Sequence, residues 1–417
     1  MNTTTAPRTV AGALMPAAAR HVFKLLDQLQ HGELDVQLPD GSSVHFPLSR
    51  AGRSGLQPRA AMRLHDWRVF ERVLKSGDIG FAESYLEGAW SSPDLSALLR
   101  LFIANRDHMD AIVYGTWWGS LLYRAKHLLK RNTRRGSAKN IHAHYDLGNE
   151  FYRLWLDPTM SYSAAWFEGC PDQHSLQSAQ RAKMRRALRE AGVTQGSRML
   201  EIGCGWGALA QTAAREFGAQ ATGVTLSREQ LAWAQASARD GCLAGQVDLR
   251  LLDYRDLPAQ FAGEPFDAIV SIEMFEAVGR EYWGSYFDVL KRCLKPGGRA
   301  CIQTITIRDD LFERYCKSTD FIQQYIFPGG LLPSPSAFET QARKAGFVVE
   351  RRLAFGPDYA ETLRRWREEF LRHEAKLPRL GFDARFKHIW EFYLAYCEAA
   401  FDMGNTDVMQ FTLRHAS

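Results

Sequence analysis

Hydrophobic and polar positions change their rhythm three times along this 417-residue chain. In the first region, residues 21–31 have helical spacing. Leu34-Asp35-Val36-Gln37-Leu38 and Val44-His45-Phe46 alternate on either side of Pro39-Asp40-Gly41. Strict alternation around a Pro-Asp-Gly turn predicts a β-hairpin. Trp67 to Leu74 and Ser91 to Ile103 predict helices, with Gly80-Phe81 and Gly88 as breaks. Residues 21–105 therefore read as a small N-terminal α+β accessory domain, and no chemistry follows from them. Residues 1–20, apolar from Thr9 but broken by Pro16, read as a disordered leader rather than an export signal.

The second rhythm spans residues 106–140. Trp118, Leu121, Leu122, Ala125 and Leu129 follow helical spacing, and Arg124, Lys126, Lys130, Arg131, Arg134, Arg135 and Lys139 are interleaved with them or follow. No acidic residue lies between Asp110 and Asp146. Such a basic amphipathic connector either lies on an anionic membrane surface or is a solvated linker packed on a neighbour, and both readings stand. No nucleic-acid-binding module accompanies the charge, so no nucleic-acid partner is expected.

The third region, residues 141–417, alternates strands and helices. Arg198 to Ile202, Ala219 to Val224, Asp248 to Leu252, Phe266 to Ile272 and Arg299 to Ile307 read as strands. Ala208 to Phe217, Arg228 to Asp240 and Tyr282 to Leu294 read as intervening helices, and the chain after Tyr359 reads as helical. The pattern predicts an α/β fold with a doubly wound, mostly parallel sheet.

Composition narrows the class without choosing a function. Apolar residues make up 46% and charged residues 24%, with a net charge of +5. These values exclude a largely disordered, collagen-like or coiled-coil chain. No apolar run is long enough to span a bilayer. The seven cysteines are scattered without a C-x-x-C pair, which argues against a disulfide framework and against structural zinc. No metal site is expected, and a reducing cytoplasm is the simplest setting.

The sharpest chemical signal is Leu200-Glu201-Ile202-Gly203-Cys204-Gly205-Trp206-Gly207, a strand running through a glycine turn into a helix. Glycines permit tight backbone geometry and close approach of a ligand. The form is E-x-G-x-G-x-G rather than the dinucleotide G-x-G-x-x-G. A carboxylate at Glu201 suits an amino-acid ammonium better than a pyrophosphate, which favours S-adenosylmethionine over NAD. Gly203, Gly205, Trp206 and Gly207 form the cradle. At the next strand end, Thr225, Leu226, Ser227 and Gln230 offer a polar rim for a ribose, with Thr225 where many methyltransferases carry an acid. At the third, Asp253 is placed to accept from an adenine amino group, flanked by Tyr254 and Arg255.

Further clusters carry a resemblance. These are His144-Tyr145-Asp146-Leu147-Gly148-Asn149 and Leu156-Asp157-Pro158-Thr159-Met160-Ser161-Tyr162-Ser163, then Met274-Phe275-Glu276-Ala277-Val278-Gly279. Tyr325-Ile326-Phe327-Pro328-Gly329-Gly330 and Phe355-Gly356-Pro357-Asp358-Tyr359 complete the set. Together they resemble the cyclopropane-fatty-acyl-phospholipid synthase family, including the mycolic-acid cyclopropane synthases, strongly over 141–417 and loosely before it. The resemblance implies a sheet of class I methyltransferase type. It also implies a C-methyltransferase that moves the S-adenosylmethionine carbon onto a cis double bond of an unsaturated phospholipid acyl chain, giving a cyclopropane. Family members hold a bicarbonate ion as the base. By that analogy Glu276 binds the bicarbonate hydroxyl, Tyr359 donates to the same ion, and the Ile305 backbone supplies a further contact. Tyr145, Tyr162 and Ser163 close over the methionine end of the cofactor. The resemblance further implies a cytoplasmic enzyme associated peripherally with the inner face of the membrane, and leaves a homodimer open.

The chain departs from that family pattern at two ion-site positions. The usual cysteine is Ala164 and the usual histidine is Gln303. Glutamine still donates through its amide, whereas alanine offers no side-chain hydrogen bond. The departure weakens ring closure more than methyl transfer. It leaves open a methyl-branched or methylene product and a catalytically silent lipid-binding homologue.

Overall fold

The computed structural model describes residues 15–48, 59–106 and 147–416. The chain separates into two compact units, residues 1–122 and 123–417. The basic connector lies outside the described residues, as do His144 and Tyr145.

In the first unit the helix Ala17–Leu26 starts just after Pro16, four residues earlier than the helical spacing suggests. Strands β1 (Glu33–Gln37) and β2 (Ser43–Phe46) form the expected antiparallel hairpin. Strand β3 (Arg59–Leu64) pairs parallel to β1, and β4 (Trp90–Ser91) closes the order β2-β1-β3-β4. The helix Arg68–Leu86 bends at Gly77 (φ 59°), not at Gly80. Gly80 instead allows close packing, since a Cβ there would stand 2.2 Å from the Arg72 carbonyl oxygen. The helix Leu95–Ala104, capped by Asp94, completes the unit.

The second unit is built on a seven-stranded sheet. Strands β5 (Arg198–Ile202), β6 (Gln220–Thr225), β7 (Val247–Leu251), β8 (Phe266–Ile272) and β9 (Leu294–Ile307) run parallel. Strand β11 (Thr406–His415) inserts antiparallel between β9 and β10 (Phe347–Ala354), giving the order β10-β11-β9-β8-β5-β6-β7. The doubly wound, mostly parallel sheet of class I methyltransferase type is therefore present. The helical tail expected after Tyr359 is corrected at its end. Helices Gly356–Arg372 and Ala384–Asp402 form, but residues 406–415 are a strand. Its six central residues are all buried, so it lacks the alternation that marks a half-exposed strand.

One apolar cluster fills one side of the sheet, with Phe338 stacked on Phe411 at 4.3 Å. A second, rich in alanine, packs the helices Leu176–Glu190 and Ala208–Phe217. These layers leave the carboxyl edge of the parallel strands as the place where loops meet, the usual ligand edge of such sheets.

Candidate active site

A cavity of about 340 Å³ opens at that edge. Its floor is the glycine loop after β5. Gly203, Gly205 and Gly207 have φ of 84°, 51° and 84°, values that side-chain-bearing residues rarely adopt. A Cβ on Gly203 would lie 2.9 Å from Met274 Cγ, and one on Gly207 would lie 3.0 Å from Ala234 Cβ. Gly203, Gly205 and Trp206 line the cavity. Gly207 is off the wall and acts by turning the chain into the helix Ala208–Phe217. The indole nitrogen of Trp206 donates to Asn149 Oδ1 at 2.7 Å, fixing the ring.

Glu201 is buried and lines the cavity, and its Oε2 accepts from the Ala210 amide at 3.0 Å. Burial pushes its carboxyl up to about 8. A buried acid in that state is ready to receive a cation, because the ammonium it meets restores its charge.

At the end of β6, Thr225 donates to Gln230 Oε1 at 3.0 Å, and both residues line the cavity with Leu226. Ser227 does not. Its hydroxyl accepts from the Gln230 amide and caps the helix Arg228–Asp240, so its expected cofactor contact is corrected to a cap. Asp253 is also off the wall. Its carboxylate is committed to Arg255, accepting from the amide at 3.0 Å, Nε at 2.8 Å and Nη2 at 2.5 Å. Tyr254 and Arg255 themselves reach the cavity, whereas Asp253 does not line it.

The cavity is also lined by two half-buried carboxylates, Glu273 and Glu276. Glu276 accepts from the Ile305 amide, its other oxygen is buried with no partner, and burial together with the neighbouring Glu273 pushes its carboxyl up to about 8. Glu273 is more richly held. Its Oε1 accepts from the Ala164 amide at 2.8 Å and from Gln303 Nε2 at 2.7 Å, and its Oε2 accepts from the Tyr359 hydroxyl at 2.8 Å. Two carboxylates acting on each other in a buried pocket do not both ionise freely. Burial raises the Glu273 carboxyl too, but Lys183 and the Ala164, Tyr359 and Gln303 donors oppose that rise and favour its charged form, whereas burial and the neighbouring Glu273 both push Glu276 towards holding a proton.

This arrangement corrects the expected ion site. Tyr359 donates to Glu273 and Ile305 donates to Glu276, so neither points its donor at an external anion. Gln303 is fully buried behind the wall, bonded to Glu273 and to Gln410. Bicarbonate does not fit donors already spent on a side-chain carboxylate.

Tyr162 and Ser163 do line the cavity. The Tyr162 hydroxyl pairs with that of Tyr393 at 2.7 Å, and Ser163 Oγ accepts from Lys183 at 2.5 Å. Lys183, Glu273 and Tyr393 were not singled out by sequence reasoning, and Asn149 entered only as part of the His144-to-Asn149 cluster, with no role given to it. Two signals were available: Lys183 sits on the buried stripe of its helix, and Glu273 directly follows a parallel strand, as the loop after Glu201 does. Apolar groups, among them Ile322, Phe327, Leu331, Leu332 and Leu363, also line the cavity.

The chain matches the mycolic acid cyclopropane synthetase family over residues 132–411. It is 40% identical over 385 residues to the tuberculostearic acid methyltransferase UfaA1 of Mycobacterium tuberculosis, covering 89% of this chain and 88% of that one. It is 35% identical to the cyclopropane-fatty-acyl-phospholipid synthase of Escherichia coli K12, covering 88% and 92%. Among solved structures, the mycolic acid cyclopropane synthase CmaA1 complexed with SAH and CTAB superposes with a TM-score of 0.61 at 34% identity, over 66% of this chain and 97% of that one. The MmaA2 cyclopropane synthase of M. tuberculosis gives 0.60 at 34%, with the same coverage. Such agreement in sequence and in architecture makes the chain an S-adenosylmethionine-dependent C-methyltransferase belonging to the mycolic acid cyclopropane synthetase family.

Proposed function

We propose that this enzyme transfers the S-adenosylmethionine carbon to the cis double bond of an unsaturated acyl chain carried on a phospholipid, and that proton loss from the transferred carbon closes a cyclopropane. One observation carries the reading: a single cavity joins a carboxylate-tipped glycine loop to a long apolar wall. The names of the E. coli and M. tuberculosis relatives support the lipid substrate.

S-adenosylmethionine, when bound, supplies an electrophilic methyl on a sulfonium. Glu201 gives its ammonium a counter-charge, Thr225 and Gln230 offer polar atoms to the sugar, and Tyr254 and Arg255 form the base-side wall. An alkene is a weak nucleophile, so positioning is most of what the protein contributes. Phe327, Leu331 and Leu363 hold the acyl chain and keep water from the cation that forms on it. The rings of Tyr162 and Phe327, 6.4 Å apart and near parallel, offer π faces to that cation. The basic connector is proposed to bring the enzyme to anionic lipid on the inner face of the membrane. Charge reversal at Lys130, Arg131, Arg134 and Arg135 then weakens vesicle binding by about 1 kcal/mol per charge. Unchanged binding would leave the segment a linker.

The test uses trideuteromethyl S-adenosylmethionine and vesicles of an unsaturated phospholipid, followed by mass analysis of the acyl chains. Two retained deuterons are expected, and an absence of labelled chains refutes the proposal. A second reading, an exomethylene product, is favoured by Ala164 and Gln303 at positions where the family carries other side chains. It arises when hydride shifts along the chain before the same proton leaves, and it also retains two deuterons. Carbon NMR with a ¹³C-methyl donor separates a ring carbon from a vinylidene carbon. A saturated branch requires a reductant: formed by hydride capture at the cation it retains three deuterons, and formed by reducing the exomethylene bond it retains two.

A further inference from the structure

The position that the family resemblance gives to an external anion holds a side chain of this protein. Donors from three separate elements converge on the Glu273 carboxylate: the Ala164 amide from the loop after Ser163, Gln303 Nε2 from β9, and the Tyr359 hydroxyl from the helix Gly356–Arg372. We propose that Glu273 is the catalytic base of this enzyme, a built-in carboxylate that replaces a bicarbonate ion. The inference rests on the function proposed above and names the residue that completes it.

The surroundings are arranged for that carboxylate. Gln303 cannot turn its amide around, because its Oε1 accepts from Gln410 Nε2 at 2.9 Å, while Gln410 Oε1 in turn accepts from Arg186. The relay Arg186–Gln410–Gln303 therefore presents an N–H, not an oxygen, to Glu273. Alanine at 164 removes side-chain bulk and leaves only the main-chain donor. Glu273 adopts φ 49°, a left-handed conformation rare for a residue with a side chain, immediately after β8. Strain of this kind persists where the surrounding structure over-determines it, and it concentrates at functional sites. An ionised carboxylate offers about four acceptor positions. Three are filled, which leaves one for a proton arriving from the cavity that Glu273 lines.

The step balances without a further reactant. The π pair of the alkene forms the new carbon–carbon bond as the sulfur–carbon bond breaks, and that pair stays on sulfur. The acyl chain carries the positive charge. Glu273 takes a proton from the transferred carbon, and the freed C–H pair closes the ring, or forms the exomethylene bond if a hydride has shifted first. The proton then passes to solvent, and Glu273 is again ionised.

The test compares turnover on unsaturated phospholipid vesicles in carbon-dioxide-stripped buffer with turnover in added bicarbonate. Wild-type turnover is expected to differ by less than about twofold, whereas Glu273→Gln lowers it by ~10²–10⁴, the usual cost of losing a general base. Glycine tolerates the left-handed backbone, so Glu273→Gly empties the position without backbone strain. Its turnover is expected to recover in part with added bicarbonate or formate, while that of Glu273→Gln does not. Calorimetric binding of S-adenosylhomocysteine, expected to be retained in both variants, reports an intact fold. The inference is overturned by a wild-type enzyme that needs bicarbonate, by Glu273→Gln turnover within about threefold of wild type, or by a folded Glu273→Gly that no small carboxylate rescues. Wild-type protein that binds the nucleoside but labels no acyl chain refutes the proposed function itself, and this assignment with it.

Discussion

If Glu201 receives the cofactor ammonium as proposed, binding is expected to draw a proton out of the protein. Glu201 is 4% exposed, and burial pushes its carboxyl from 4.5 up to about 8. At pH 7 a group titrating near 8 is about 10% ionised, yet an ammonium needs the ionised form. The displacement corresponds to about 5 kcal/mol at 1.36 kcal/mol per pH unit, which sets the scale of what the ion contact must offset. Linkage then makes apparent affinity rise nearly tenfold from pH 6 to pH 7 and level off above about 8. The assay is calorimetry with S-adenosylhomocysteine, which bears the same ammonium, in buffers of different ionisation enthalpy. Nearly one proton is expected to be released at pH 7. Lys183, which burial lowers to about 8, and Glu276 titrate in the same window, so the decisive quantity is the difference from Glu201→Gln. That variant should lose most of the proton release and the slope. Equal proton counts and equal slopes in the two proteins would refute the reasoning.

Further outcomes follow from the same geometry. Glu201 and Glu276, both raised from 4.5 to about 8, hold protons in the folded state that the unfolded chain has already released. Stability of the ligand-free protein therefore falls as pH climbs from about 5 to 8, and thermal unfolding of Glu276→Gln should show a shallower decline. Gly207→Ala forces a Cβ to 3.0 Å from Ala234 at φ 84°, and denaturant unfolding should register a loss of about 1–3 kcal/mol. Glu276→Gln keeps an acceptor for the Ile305 amide and mimics the protonated acid. Its turnover at pH 7 should fall less than about tenfold, well short of Glu273→Gln, and comparable losses would return the base role to Glu276. Asn149→Ala removes the acceptor of the Trp206 indole N–H and should weaken nucleoside binding by about 1 kcal/mol, measured by the same calorimetry.

Much of the cofactor half was legible because it depends on neighbours in sequence. A strand, a glycine turn and a helix within one short segment define Glu201 to Gly207, and positive φ at three glycines leaves few alternatives. Strands β5 and β8 and the helices Ala208–Phe217 and Arg228–Asp240 begin and end at the residues that the periodicity marks. Thr225 and Gln230 were placed by the same local logic. Asp253 and Ser227 were read as ligands because both are polar residues at strand ends. Nothing local reveals that Arg255 consumes one and a helix amide the other.

The amino-acid sequence by itself determined the alternation of strands and helices, the glycine cradle and the family, since each is written in short-range pattern and spacing. Tertiary structure decided what the reacting end does. The Glu273 donors come from residues 109, 30 and 86 positions away, and only the closed sheet brings them within hydrogen-bonding distance. Strand β11 supplies the Gln410 that orients Gln303, and it is buried on both faces, so neither its existence nor its role leaves a periodic trace. A carboxylate's charge is set by the donors and dielectric around it rather than by its residue type. For that reason Glu273 and Glu276, three positions apart, meet different surroundings: three donors and Lys183 favour the charge on Glu273, while Glu276 is raised by burial and by Glu273 itself.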